Sequence, residues 1–252
     1  MIPGYVEFEF DLPAALLERL AGTLDRTETA PLNATTAAAV PEAQGVYELF
    51  HKGKLVYVGK TDAKAGLRQR LGRHADKIRH RIGLDPADVS FKAVRVFVFT
   101  AVDLEGDLIL RTSKSGKLEW NNSGFGANDP GRKRDLSTVK SDHFDSRYPI
   151  DTGFPIDGLE MPKGMSAADA LDTLKANIPY VLRFERVSGS AHPDLADARL
   201  PRAIRPKNVR AALTEIVAVL PKGWTATVLP GYAILYRERA SYPSAQYQLK
   251  SA

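Results

Sequence analysis

Two tyrosines stand ten residues apart near the first fifth of the chain, each inside a short apolar run. Tyr47 lies in "GVYELF" (residues 45–50) and Tyr57 in "LVYVGKT" (residues 55–61), with only "HKGK" between the two runs. Lys60, Arg68, Arg70, Arg73 and His74 follow directly. A phenol can orient or deprotonate water, a guanidinium fork matches two phosphate oxygens, and an imidazole exchanges protons near neutral pH. Hydrolysis of a phosphodiester needs an activated water and charge stabilisation around the phosphorus. These residue types supply both. An ordinary tyrosine pKa near 10 makes a poor base at neutral pH, so a neighbouring cation such as Lys60, or a metal-bound water, would have to lower it. Plain strand packing is the competing explanation for both tyrosines.

The elements that must position these groups can be read from periodicity. The two tyrosine runs, with Gly53 in the connection, predict an antiparallel hairpin. Leu67, Leu71, Ala75 and Ile78 form an apolar stripe at helical spacing, with cations on the opposite face of a helix over 67–82. Arg70 and His74 are four residues apart on that helix and therefore share a face, which favours Arg70 over Arg68 and Arg73 as the phosphate contact. "FKAVRVFVFT" (91–100) predicts a strand. "VDLEGDLILR" after it predicts a helix capped at Asp103, with Leu104, Leu108 and Ile109 inward.

Upstream, "YVEFEF" alternates like a half-buried strand and 12–24 has helical spacing, with a proline in its first turn. From 113 to 162 periodicity is poor, and "WNNSGFGANDPGRKRD" is rich in glycine and asparagine, the mark of a functional loop or a disordered one. Downstream, "SAADALDTLKANIP" predicts a capped helix, "YVLRFERV" a strand, "NVRAALTEIVAVL" a helix and "WTATVLPGYAILYRER" a hairpin. The fold class is α/β.

Composition bounds the rest. The 252 residues are 44% hydrophobic and 26% charged, enough for an ample core without staples. There is no cysteine, which excludes disulfides, cysteine-zinc sites and thiol catalysis, and fits a cytoplasmic location. The first twenty residues lack the pattern of a signal peptide, and no apolar run is long enough to span a bilayer, so no membrane is expected. The net charge of +5 is modest but clustered: from 51 to 81 ten Lys and Arg face only Asp62 and Asp76. Such clustering is the footprint of a phosphate-rich partner.

The paired segments Gly45-Val46-Tyr47 and Tyr57-Val58-Gly59 resemble the signature of the GIY-YIG nuclease superfamily, with valine in place of isoleucine in both halves. The likeness continues in order through residues 40 to 128: a helix with Arg70 and His74, a strand, and a helix bearing Glu105. It implies a small GIY-YIG core, an antiparallel three-stranded sheet flanked by helices. It further implies Tyr47 as the residue that positions or deprotonates water, Tyr57 beside it, Arg70 on the scissile phosphate, and His74 as acid, base or phosphate donor. Glu105 would bind Mg2+ or Mn2+, with Glu119 its rival. Asn121 would hold the glutamate or phosphate, with Asn122 and Asn128 as alternatives.

Without the zinc-finger or helix-turn-helix tails of homing relatives, the plan resembles the type II restriction branch. That implies metal-dependent cleavage of double-stranded DNA at a short palindrome by a homodimer. The expected organisation is an N-terminal strand-helix extension (1–39), a nuclease core with a DNA-contacting loop (40–162), and C-terminal α/β additions for recognition or dimerisation (163–252). Lys60, Arg68, Arg73, Arg132, Lys133 and Arg134 are the expected backbone contacts. Lys114, Lys117, Arg183 and Arg186 join the "GRKR" cations as unranked base-reading candidates. The alternative is a degenerate, non-catalytic member that only binds nucleic acid.

Overall fold

The computed structural model describes residues 2–9, 11–61, 65–97, 109, 118–126, 129 and 131–252. Glu105, Lys114, Lys117 and Asn128 lie outside the described residues, as does the helix expected at 103 apart from Ile109. The chain divides into two compact units, 1–75 with 86–121 and 76–85 with 122–252; Pro162, the boundary expected from composition, lies within the second.

The first unit is an antiparallel sheet covered on both faces. Helix α1 (Leu12–Arg26) starts at Asp11, whose Oδ1 accepts from the Ala14 amide at 2.9 Å, and carries Pro13 in its first turn. Strands β1 (Ala30–Pro31), β2 (Gly45–His51), β3 (Lys54–Thr61) and β4 (Val89–Arg95) pair in the order β1-β4-β2-β3. The short helix α2 (Ala34–Ala39) is closed by a capping box between Asn33 and Thr36. Helix α3 (Leu67–Ile78) follows β3, and its residues through Ala75 belong to this unit.

The hairpin turns on Lys52 and Gly53, with φ of 52° and 75°. Two consecutive left-handed residues make the tight turn whose twist suits a two-residue hairpin. Side-chain alternation then divides the sheet. Val46 and Val58 pack with Leu20, Leu24 and Leu118 on the α1 side. Glu48 shares their face of β2, opposite to that of Tyr47 and Leu49.

Two sequence expectations change here. The "YVEFEF" alternation does not form a strand over its described residues: 2–9 hold only a turn, with Val6 and Phe8 more than 80% exposed. Alternation makes a strand only where a sheet edge is open to receive it. The edge of β3 is taken by Trp120, whose amide donates to Val56 O at 2.9 Å, and by Asn121. At the other edge β1 has two residues, one a proline without a donor. The sheet also has four strands rather than three, because β1 pairs Ala30 with Phe91.

In the second unit, α4 (Phe144–Arg147), α5 (Ala167–Ala176), α6 (Pro193–Asp197) and α7 (Val209–Ala218) accompany a sheet built from β5 (Val181–Phe184), β8 (Trp224–Val228), β9 (Tyr232–Arg237) and β10 (Tyr247–Lys250). The order is β10-β8-β9-β5, with β5 parallel to β9 and the remaining pairs antiparallel. A small ribbon of β6 (Arg186–Val187) and β7 (Ser190–Ala191) interrupts the strand expected over "YVLRFERV". Ser166 caps α5 and Asn208 caps α7. Leu171, Leu174, Leu213, Ile216 and Trp224 fill the core. No described helix is long and apolar enough to cross a membrane.

Candidate active site

The hairpin register brings the tyrosines together. Tyr47 lies opposite Gly59 and Leu49 opposite Tyr57, so the two phenols share one face of the sheet, one row apart. Their ring centroids are 6.0 Å apart at 29°. Helix α3 lies against this face. Its buried stripe (Leu67, Leu71, Ala75, Ile78) turns Arg70 and His74 toward the same hydroxyl. His74 Nε2 is 2.8 Å from Tyr47 Oη, and Arg70 Nε donates to that oxygen at 3.3 Å. The His74 ring also lies edge-on to Tyr57, centroids 5.4 Å apart.

Both half-motif glycines are required sterically. A Cβ on Gly59 would stand 2.5 Å from Tyr47 Oη and 2.8 Å from Tyr57. A Cβ on Gly45 would collide with Val94 O and meet Leu67 at 2.7 Å. Thr61 fastens the end of the pair, its Oγ1 accepting from the Gly45 amide at 3.0 Å. The spacing of tyrosine and glycine is thus a packing rule as well as a chemical one. Thr61 was not singled out from the sequence, and only its place at the register's last pair identifies it.

Burial sets the electrostatics. Tyr47 is fully buried and His74 is 3% exposed. Burial, then the neighbouring Tyr57, push the Tyr47 pKa far above the ordinary phenol value, while Arg70 opposes them. Tyr47 is therefore a neutral phenol at neutral pH. Its hydroxyl takes the Arg70 donor and meets His74 Nε2, which accepts from it when Nδ1 carries the ring proton and donates to it otherwise. Arg70 is half-buried; burial works against its charge, while contact with both tyrosines raises its pKa overall. The chain of donors Arg70, Tyr47, His74 can hold a phosphate-directed cation and move a proton between phenol and imidazole.

The other expected residues occupy different places. Asn121 is buried and forms a bidentate bridge to one strand residue: Val58 N donates to its Oδ1 at 2.9 Å and its Nδ2 donates to Val58 O at 3.0 Å. Its side chain completes the outer edge of β3. Asn122 is an exposed turn residue at φ 60°. Glu119 pairs with Lys54 at 2.8 Å. Lys60, Arg68 and Arg73 are exposed, with Arg68 Nε donating to Val40 O at 2.8 Å. In the second unit Lys133 and Arg134 are exposed, whereas Arg132 pairs with Glu185 at 2.9 Å and Glu238 at 3.4 Å and stacks over Tyr236.

No group of three His, Asp or Glu converges on a possible metal position among the described residues. A single carboxylate suits Mg2+, which keeps much of its water shell, and the carboxylate that the GIY-YIG pattern assigns, Glu105, falls outside them. No protein-family model matches the chain, and no curated protein is significantly similar to it in sequence.

Proposed function

We propose that this chain is a metal-dependent endonuclease of the GIY-YIG type, cutting double-stranded DNA at a short palindrome as a homodimer in the manner of type II restriction enzymes. The observation that supports this best is the convergence of Arg70 and His74 on the Tyr47 hydroxyl. The guanidinium fork meets both tyrosines, with Nε on Tyr47, and its five N–H groups leave donors for the phosphate. Tyr47, held neutral by burial, positions rather than deprotonates, and His74 takes the proton that the attacking water must lose, directly or through Tyr47. Mg2+ or Mn2+ held through Glu105 would stabilise charge on the phosphate and the leaving oxygen. One such site per chain cuts one strand, and two chains related by a two-fold axis cut both.

The test is incubation of the purified protein with a large unmethylated DNA and Mg2+, beside Tyr47→Phe, Arg70→Ala and Glu105→Ala. The expected result is discrete fragments from the wild type, with each variant slowed by at least about a hundredfold. Variants as active as the wild type would overturn the site. Sequence-selective binding without cleavage would establish the alternative, a degenerate nucleic-acid-binding member.

A further inference from the structure

Three buried side-chain polar atoms without an aligned hydrogen bond among the described residues belong to one cluster in the second unit: Asp135 Oδ2, Arg183 Nε and Glu185 Oε2. Leaving such an atom without a hydrogen bond carries its desolvation penalty, so native proteins seldom keep several together without a use. The cluster is otherwise tightly built. Arg183 Nη2 donates to Asp135 Oδ1 at 2.5 Å and its Nη1 to Tyr236 Oη at 3.1 Å. The guanidinium also lies 4.8 Å over the Tyr232 ring, while Tyr232 Oη donates to Asp135 Oδ1 at 2.7 Å. Asp129 Oδ2 sits 3.2 Å from Arg183 Nε, an ion pair without an aligned hydrogen bond. Glu185 is held through its other oxygen by Arg132, which Glu238 and the Tyr236 face fix in turn.

Of these side chains Arg132, Arg183, Glu185 and Tyr236 line an open groove of about 380 Å³, to which Lys175 and Arg186 also belong. Strand alternation places its polar side chains on β5 and just after it. Leu182 and Phe184 point into the core, so Arg183 and Glu185, two residues apart, point the other way. Both are partly exposed, at 17% and 19%. A phosphate alone does not suit a groove that presents a carboxylate among its cations. A nucleobase edge does, because it offers acceptors and donors side by side. Arginine pairs with the O6 and N7 of guanine, and a carboxylate accepts from the amino group of cytosine.

We propose that this groove reads base edges of the DNA, with Arg183 and Glu185 recognising a G·C pair and Arg132, Asp135 and Tyr236 positioning them. The inference rests on the nuclease reading and adds to it where the sequence is read. A rigid guanidinium fixed by a buried carboxylate loses little freedom on binding, which is what a reading residue requires.

The experiment is selection of bound duplexes from a randomised DNA library without divalent metal, for the wild type, Glu185→Gln, Arg183→Lys and the exposed-wall variant Arg186→Gln. Thermal melts accompany each protein. Wild-type selection of G·C at a defined position, relaxed between roughly fivefold and a hundredfold in Glu185→Gln and Arg183→Lys, is expected. Tyr47→Phe should keep the wild-type preference while losing cleavage. Folded variants with the wild-type preference at every position would overturn the groove's role and leave the nuclease reading standing. Should Arg183→Lys fail to fold, Glu185→Gln and Arg186→Gln decide, and unchanged preference in both sinks the proposal. A wild type that binds no DNA overturns both readings.

Discussion

The tyrosine cluster of the first unit and the arginine cluster of the second are built on opposite plans. The first gathers Tyr47, Tyr57, Arg70 and His74 from fewer than thirty consecutive residues, on one hairpin and the helix after it. Its hydroxyl is engaged by both neighbours and its ring is fully enclosed. The second joins Asp135 to Arg183 and Tyr232, 48 and 97 positions away, and leaves three buried polar atoms without an aligned hydrogen bond, one of them ion-paired with Asp129. A locally assembled site can be fixed by packing alone, and its geometry follows from strand register and helix spacing. One assembled over long range must be fixed by its own ion pairs, and whatever those leave unspent is available to a ligand.

If packing fixes the first cluster, its glycines matter more than any single polar contact. Gly59→Ala places a methyl group against the Tyr47 hydroxyl, and Gly45→Ala drives one into Val94 O, which is backbone and cannot rotate away. Each is expected to cost about 3 kcal/mol, the upper part of the range for overpacking. Gly72→Ala, in the interior of α3 with nothing near its missing Cβ, is the control and should stabilise by about 0.5–1 kcal/mol. Denaturant titration of the three variants makes the measurement. Equal stability of Gly59→Ala and wild type would break the comparison, because the tyrosines would then not be held by packing.

That contrast also explains what could be read from the chain. The hairpin and the helix with its Arg70–His74 face follow from periods of 2 and 3.6 and one turn, all local signals. The capped helix at Ser166 and the helix that begins after Asn208 were legible for the same reason, though not the Asn208 cap itself. The register that sets Tyr47 opposite Gly59 was not, because it depends on a shift in pairing between Leu49 and Phe50: continued regularly from His51 and Lys54, the hairpin would set Tyr47 opposite Val58 and the two tyrosines on opposite faces. Alternation at 5–10 misled because it carries no information about whether a sheet edge is open. Arg183 was visible only as one cation among many. Its importance comes from Asp135, Tyr232 and Tyr236, brought together by a sheet in which β5 runs parallel to β9.

Asn121 is where the two plans can be told apart in one residue. Its amide satisfies the amide and carbonyl of Val58 on the outer edge of β3. Asn121→Ala leaves both buried groups without a partner and should cost about 1–3 kcal/mol. Asn121→Asp keeps the acceptor and loses the donor, setting a carboxylate oxygen against Val58 O, so it should be at least as costly. Both are expected to lower cleavage only in proportion to lost folded protein. Stability at the wild-type level with cleavage abolished would make Asn121 a chemical residue and extend the first cluster beyond the hairpin and α3.

The smallest expected effect concerns pH and belongs to the second unit. His143 caps α4, its Nδ1 accepting from the Asp145 amide at 3.2 Å, and its ring lies so close to Gly124 that a Cβ there would collide with it. His80 stacks on Phe154 with centroids 3.6 Å apart. Burial lowers both pKa values below the ordinary 6.5; Lys77 and Arg81 add to this at His143, where Asp145 and Asp142 oppose them, and Arg79 adds to it at His80, where Asp151 opposes. A depressed folded pKa means the native state binds fewer protons than the unfolded one, so stability is full above 6.5 and falls as pH drops through the folded values. Protonating Nδ1 of His143 also removes the acceptor that caps the helix. Melting midpoints should therefore fall between pH 7.5 and 5.5, and His143→Asn, which caps without titrating, should flatten part of that slope. A slope unchanged in His143→Asn would mean that the acid sensitivity arises at His80 or elsewhere, and that the α4 cap survives protonation. Tyr47 should not contribute in this range, since it stays neutral throughout it.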